Sequence, residues 1–243
     1  MKGQEQPKHE SKRSSRVLPI ILLVVSLCVF LVSGGVLLSN YLENQRSQDE
    51  VTELKKYVSV AQSTQDEDKD VQTEETEPLY AVDFDGLMAL NPDVAGWIIS
   101  PGTVIDYPVM HTDDNDDYLR RSFSGEKNRC GCIFIDQDNA KGLADTNTVI
   151  HGHRMRDGSM FGSLDQYAKQ SYYEEHPVMY LVMPDGCYRL EIFAAYEARW
   201  DAGQTQKVFA DDAQFEEFIT ICREKSDIST SVVVKPGDKI VTF

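Results

Sequence analysis

The sequence predicts a mainly β domain with helices, a barrel or a sandwich, that follows one N-terminal transmembrane helix. Three observations predict this fold class. Residues 17–38 contain no charged side chain and are rich in Leu, Val and Ile. After residue 78, short apolar runs alternate with turn residues, which is typical of many short strands. Two amphipathic segments, residues 159–169 and 211–225, have helical spacing.

The uncharged segment has the length of a membrane span. Its 22 residues extend about 33 Å at about 1.5 Å per residue, which matches a hydrocarbon core of roughly 30 Å. A buried core helix would not need an apolar surface all round. A cleaved signal peptide normally has a shorter apolar region, about 7–15 residues, before an Ala-x-Ala-like site. Ser33-Gly34-Gly35 matches such a site poorly, so we predict a retained anchor.

The distribution of charge predicts the orientation of this anchor. Five basic and two acidic side chains give residues 1–16 a net charge of +3, whereas the whole chain carries −16, so the remainder carries −19. Basic residues before a span place the N-terminus in the cytoplasm and the bulk of the chain outside the cell membrane. The acidic remainder leaves no basic patch that could neutralise phosphates, so we predict no nucleic-acid binding.

Composition divides the chain into four parts. We predict a basic cytoplasmic tail at 1–16, the anchor at 17–38, an acidic stalk that begins as a helix at 39–78, and one globular domain at 79–243. The stalk is predicted because residues 65–77 are dense in Asp, Glu, Thr and Gln and nearly free of large apolar side chains.

Turn residues punctuate the globular part. Residues 79–90 are predicted as a short helix that ends at Asn91, because Pro92 disfavours helix at the residue before it. Pro108 suggests an edge strand or a strand end. Strands are predicted at 97–99, 104–109, 133–135 and 148–150, and strand pairs around turns at 178–182 with 188–196 and at 232–234 with 239–243.

Each of the two helical segments has a candidate cap. Ser159 is predicted as the N-cap of the first. Asp211 and Gln214 form a capping-box pattern at the start of the second. Phe215, Phe218, Ile219 and Cys222 lie on one face of that second helix, and core packing is the expected role of this stripe. The pairing of the five cysteines is left open by the sequence.

His153 is the candidate catalytic residue. It follows a predicted strand and Gly152, so it is expected at a barrel rim, where imidazole can exchange protons near neutral pH. Taken alone, such a histidine also fits an ordinary surface role. His151 and His153 would share one face of a strand and admit a metal site, but zinc would need a third ligand. Only His111, His176 or a carboxylate could supply it, and neither histidine has a recognisable spacing, so we predict no metal and no cofactor.

Six segments occur in the order and at the spacing of one known family. They are NPDVAGWI at 91–98, IDYPV at 105–109, DNDDYL at 114–119, GCIFID at 131–136, NTVIHGHRM at 147–155 and MFGSL at 160–164. The ordered set resembles the class B sortases, which are cysteine transpeptidases of the Gram-positive cell surface. The resemblance covers residues 79–243 and implies an eight-stranded sortase-type β-barrel with a helical insertion at 211–225.

The resemblance also implies roles for single residues. His153 matches the family's catalytic histidine. Asn115 and Leu119 match positions that line the groove for the sorting peptide, and His151 occupies a groove position that is often tyrosine in the family. The implied mechanism is a thiolate attack on the carbonyl of a Thr in a sorting motif, which gives a thioester. His153 would protonate the departing amine, and an arginine would stabilise the oxyanion.

None of the cysteines in this sequence lies at the position that the family's nucleophilic cysteine occupies. The family's cysteine lies in a Thr-Leu-x-Thr-Cys-like motif, and Thr242-Phe243 resemble its first two positions. The cysteine is expected three residues after Phe243, and the arginine beyond it. We therefore expect a barrel that is incomplete at its C-terminus and a chain that is inactive as it stands. None of Cys130, Cys132, Cys187 and Cys222 fits the required place.

Three functions follow as hypotheses. The first is a class B sortase that cleaves sorting-motif surface proteins or pilins after Thr and joins them to an amine of a peptidoglycan precursor or a pilin. The second is a catalytically inactive, truncated sortase-like module that binds sorting peptides at the cell surface. A metal-dependent surface hydrolase that uses His151 and His153 is the third alternative.

Overall fold

The computed structural model describes residues 14–61, 79–199, 203 and 205–243. The predicted cytoplasmic tail up to residue 13 and the acidic part of the predicted stalk, residues 62–78, lie outside the described residues. Contacts divide the chain into an N-terminal unit that ends at Arg46 and a second unit, Ser47–Phe243.

The N-terminal unit contains most of α1, Ser14–Leu54. Its large apolar side chains, such as Leu22 and Phe30, are exposed, and the most apolar stretch of the helix is not buried against protein. A continuous apolar surface of this kind marks a membrane or protein contact. Within the described part of the chain, this is the single helix long and apolar enough to cross a membrane, and it includes the predicted anchor.

The second unit is built on a seven-stranded sheet that forms a nearly closed barrel. Two further strands, β1 (Val58–Ala61) and β2 (Leu79–Val82), pair antiparallel beside it. The sheet strands are β3 (Val94–Ile99), β4 (Asp106–Met110), β5 (Ile133–Ile135), β6 (Asn147–His151), β7 (Val178–Met183), β8 (Gly186–Glu191) and β9 (Ile240–Thr242). Their order is β8-β7-β3-β4-β5-β6-β9. The predicted mainly β fold class is confirmed.

Successive side chains of a strand point to opposite faces of the sheet. Neighbouring residues of the central strands are both buried, so both faces of the sheet are covered there. Ile98 of β3 packs in one apolar cluster with Val109, Ile133, Ile150 and Leu181. Its neighbours Trp97 and Ile99 pack in a second cluster on the other face. Leu54 at the end of α1 and Leu87 of α2 (Phe84–Leu90) cover that second face.

The second predicted helix and the first predicted hairpin are confirmed. Two short helices, α3 (Asn115–Leu119) and α4 (Gln170–Glu175), precede α5 (Asp212–Lys225) in the chain. α5 begins where the Asp211 carboxylate accepts a 2.9 Å hydrogen bond from the Gln214 backbone N–H. Its four predicted core residues are buried and pack with Ile240 of β9. β7 and β8 pair antiparallel from Val178 with Glu191 to Met183 with Gly186.

The globular fold begins earlier than predicted. Residues 58–61, which we assigned to the stalk, form β1, and residues 79–82, which we assigned to a helix, form its partner β2. The helix starts only at Phe84 because the Asp83 carboxylate caps it by accepting a 2.9 Å hydrogen bond from the Gly86 N–H. It ends at Leu90, as predicted, before an extended Asn91.

Three other local predictions are wrong. Ser159 does not cap a helix, because its hydroxyl donates to Asp157, and a 3₁₀ helix (Phe161–Ala168) follows a left-handed Met160 with φ of 50°. Residues 232–234 form no strand; β9 instead pairs parallel with β6. β4 is an inner strand although it contains Pro108. Its pairing with β5 starts one residue later, at Val109, so the missing backbone N–H of Pro108 is not needed for that pairing.

Candidate active site

The candidate site lies at the C-terminal end of β6. His151 is the last residue of that strand, and Gly152 and His153 follow it. A Cβ at Gly152 would lie 2.6 Å from the Phe161 ring, so only glycine lets the strand end approach this ring so closely. β6 pairs with β5 on one side and parallel with β9 on the other, where the last pair is Val149 with Thr242. Both histidines therefore lie beyond the end of β9, in the direction in which it runs.

His153 is held by a backbone carbonyl. Its Nε2 lies 2.7 Å from the carbonyl oxygen of Leu119, the last residue of α3 (Asn115–Leu119). The last carbonyls of a helix have no partner within the helix, so this oxygen is available. Because a carbonyl only accepts hydrogen bonds, Nε2 must carry the proton. Nδ1 is then the nitrogen that can exchange a proton with a substrate.

The end of α3 is fixed by the segment that leads into β5. The Cys132 N–H donates a 2.8 Å hydrogen bond to the Tyr118 carbonyl. Gly131 has a φ of 60°, and a Cβ at this position would lie 2.5 Å from the Tyr118 carbonyl oxygen and 2.7 Å from that of Leu119. This close approach of two backbone segments sets the position of the carbonyl that holds His153.

His151 pairs with a carboxylate. Its Nε2 lies 2.7 Å from Oδ2 of Asp136, which follows β5. The same oxygen accepts a 3.3 Å hydrogen bond from Asn115 Nδ2. Oδ1 accepts from the Asp138 N–H at 2.9 Å and lies 3.1 Å from Lys207 Nζ. Four donors therefore hold one carboxylate, and Asn115 and His151 share it.

This carboxylate stays ionised. Burial alone would raise the pKa of Asp136, but the hydrogen bonds from His151, from the Asp138 N–H and from Lys207 outweigh burial and lower the pKa to about 2. A folded pKa below the ordinary value of 3.8 means that the ionised form stabilises the folded state. That contribution is fully present above the ordinary value and is lost as the pH falls towards about 2.

We expect Asp136→Asn to lower the free energy of unfolding near pH 7 by about 1–2 kcal/mol, because Lys207 and His151 lose an anionic partner. Below the ordinary carboxyl pKa the difference from the parent protein should shrink, since the parent loses the same contribution there. Denaturant unfolding of the full chain in non-ionic detergent, from pH 7 to pH 2.5, measures it. Asp138→Asn removes an equal charge from a 73% exposed side chain and should have little effect. A difference that is independent of pH would contradict this account.

Two of the buried cysteines, Cys132 and Cys222, are poor nucleophiles. Burial raises the pKa of the Cys132 thiol far above its ordinary value, and burial also raises that of Cys222 on α5. A neutral thiol is a weak nucleophile. No disulfide links the cysteines of the described chain. Within the described ranges, no three His, Cys, Asp or Glu side chains converge as a metal site.

The structure brings the four predicted site residues together through two contacts. Leu119 and His153 meet at the carbonyl, and Asn115 and His151 meet at Asp136. Sequence reasoning missed the roles of Asp136 and Lys207. Asp136 is the last residue of the GCIFID segment, and the sequence showed it as a carboxylate directly after a predicted strand. Nothing in the sequence indicated that Lys207 pairs with Asp136, because it lies 71 positions further along the chain.

Solved structures resemble this fold. A crystal structure of sortase B from Bacillus anthracis in complex with AAEK1 aligns with a TM-score of 0.69 at 31% identity, over 84% of this chain and 90% of that chain. A Staphylococcus aureus sortase B–substrate complex aligns with a TM-score of 0.63 at 35% identity, over 65% of this chain and 73% of that chain. The fold is thus that of the sortase class of cysteine transpeptidases.

Sequence relatives make the assignment narrower. Sortase B of Listeria monocytogenes is 33% identical over 222 residues, which cover 91% of this chain and 87% of the relative. Sortase B of Staphylococcus aureus is 32% identical over 233 residues, which cover 95% of this chain and 90% of the relative. No family model matches the chain. The chain belongs to the sortase B family, and the predicted resemblance is confirmed.

Proposed function

We propose that this protein is a membrane-anchored transpeptidase that cleaves a C-terminal sorting motif after Thr in surface proteins or pilins. It would join the new carboxyl end to an amine of a peptidoglycan precursor or a pilin. Family membership supports transpeptidase chemistry. The observation that carries the proposal is the position of His153, which is held through Nε2 just after the end of β6, ahead of β9 in the direction in which that strand runs.

The register between β6 and β9 supports the expected place of the nucleophile. Asn147 pairs with Ile240, Thr148 with Val241 and Val149 with Thr242. Continued in this register, the third position after Phe243 lies beside His153. That is the position where the family motif places the cysteine. Paired residues of neighbouring strands point to the same face, with strands about 4.8 Å apart. A thiol there would emerge next to the imidazole.

The proposed groove is lined by Asn115, Leu119 and His151. The thiol would pass its proton to Nδ1 of His153, and the resulting thiolate would attack the Thr carbonyl of the bound peptide. The imidazolium would then return that proton from Nδ1 to the departing amine. The amine acceptor then resolves the thioester. The shared carboxylate of Asp136 supports this arrangement, because it fixes Asn115 and His151 relative to each other.

We propose an N-terminus in the cytoplasm and a catalytic domain outside the membrane. The net positive charge of residues 1–16 and the apolar part of α1 support this orientation. Tethering has a physical use, because enzyme, secreted substrate and membrane-linked acceptor then meet at one surface at a high effective concentration.

The test uses a protein in which the family's cysteine motif follows Phe243, purified with its membrane anchor in non-ionic detergent. A library of quenched fluorescent peptides with Thr at the cleavage position is offered, with and without a soluble amine acceptor. We expect a thioester adduct by mass spectrometry, and a new amide product when the acceptor is present. Peptide binding without any adduct would overturn the proposal in favour of an inactive peptide-binding module.

A further inference from the structure

His151 and His153 differ in the partner that holds each ring. His153 donates from Nε2 to a neutral backbone carbonyl, whereas His151 faces a carboxylate at 2.7 Å. Because Asp136 is ionised and only accepts hydrogen bonds, the proton of a neutral His151 lies on Nε2. Its Nδ1 then has a free lone pair, for which the described residues offer no hydrogen-bond partner. The His151 side chain is 35% exposed, so a ligand can reach it.

The Asp136 carboxylate, which contacts His151, is held in one position by its hydrogen bonds and its ion pair. Its four donors come from three separate parts of the chain: α3, the β5–β6 region and the segment before α5. The Lys207 side chain is only 18% exposed, so it balances the negative charge from within the fold. The Phe134 ring packs against the imidazole, with centroids 5.2 Å apart. His151 therefore has a fixed tautomer and a fixed orientation.

His151 also lies near the place where the proposed function would put the reacting atoms. It precedes His153 by two residues, which is about 7 Å along an extended chain, and alternate residues share one face. In the register of β6 and β9 it lies beside the first position after Phe243, two positions before the expected cysteine. A molecule that approached a thioester at that cysteine would therefore pass near the His151 ring.

We propose that His151 is a second catalytic residue, the base that takes a proton from the incoming amine, and that Asp136 is its positioning residue. This inference rests on the proposed function. In the step, the amine nitrogen bonds to the thioester carbonyl carbon and the carbon–sulfur bond breaks. Its electron pair leaves on sulfur as the thiolate, and the amine proton moves to Nδ1 of His151. Exchange through water then returns a proton to His153, which gave one to the first leaving amine.

The division of roles follows from the two partners. The base must become an imidazolium during the step, and a carboxylate next to the ring stabilises that cation and fixes the reactive tautomer, as in an Asp–His pair. The neutral carbonyl that holds His153 offers no such charge. Proton donation by His153 and proton acceptance by His151 therefore suit their different surroundings.

The test separates the two half-reactions of the protein in which the family's cysteine motif follows Phe243. Release of the first peptide fragment in a single turnover measures acylation, and decay of the thioester adduct with added amine measures resolution. We expect His151→Gln to slow resolution at least about ten-fold more than acylation, so that the thioester accumulates. Asp136→Asn should act in the same direction with a smaller effect. Asp138→Asn, which removes a nearby exposed charge, is the matched control.

The experiment distinguishes failure of the proposed function from failure of the inference about His151. If the parent protein forms no thioester, the proposed function fails, and this inference with it. If His151→Gln slows both half-reactions equally, or weakens only peptide binding, His151 is a groove residue and the inference alone fails. Long-range ¹H–¹⁵N correlation spectra of the parent give a readout without turnover. A proton on Nε2 and a bare Nδ1 at His151 are expected, and the opposite tautomer would overturn the inference.

Discussion

Replacing His153 with Gln is expected to lower the rate of peptide cleavage by at least about 100-fold, since a positioned acid of this kind contributes about 10²–10⁴-fold. Glutamine can still donate a hydrogen bond to the Leu119 carbonyl, but it cannot give a proton to the leaving amine. The groove should therefore keep its shape while the chemistry fails. Single-turnover release of the peptide fragment measures the loss, and peptide affinity measured by fluorescence anisotropy should change little.

His176→Gln is the matched control for this variant. His176 is also partly buried, and its Nδ1 lies 3.0 Å from a backbone carbonyl, that of Pro101. It packs on Tyr172 instead of lying at the end of β6. Both substitutions should lower the free energy of unfolding by about 0.5–1.5 kcal/mol through an altered hydrogen bond. Only His153→Gln should reduce cleavage. Equal cleavage rates in the two variants would show that His153 is not the acid.

Local signals in the sequence were sufficient where an element is stabilised by its own residues. α5 was predicted because its cap and its apolar stripe lie within one segment, and the β7–β8 hairpin because its turn joins the two strands directly. Residues 232–234 had the same strand-like composition but formed no strand. The partner of the neighbouring β9 is β6, about ninety positions away in sequence, and pairing over such a distance leaves no local signal.

The same reasoning applies to the site. A strand followed by Gly152 and His153 is a local pattern, so the rim position of the histidine could be predicted. What holds the ring could not, because the Leu119 carbonyl is a backbone group 34 residues away. Asp136 was visible as a residue but not as the partner of Lys207. The residue types of the site were thus readable from the sequence, whereas the contacts that orient them are tertiary.

Gly131→Ala is expected to damage the fold and the site together. A residue other than glycine at a φ of 60° is strained by about 1–3 kcal/mol. The added methyl group would also lie 2.5 Å from the Tyr118 carbonyl oxygen and 2.7 Å from that of Leu119, and neither backbone group is a flexible side-chain end that could move aside easily. We expect the free energy of unfolding to fall by about 2–4 kcal/mol, as measured by denaturant unfolding.

Gly125→Ala separates backbone strain from steric contact. Gly125 also has a positive φ, 82°, but a Cβ there meets nothing within 4 Å, so this variant should lose only about 1 kcal/mol. The difference between the variants is the cost of displacing the end of α3. Because the displaced Leu119 carbonyl holds His153, Gly131→Ala should also slow cleavage about 10–100-fold in the protein that remains folded, while Gly125→Ala should not. If both variants cleave at the parent rate, the position of this carbonyl does not control His153.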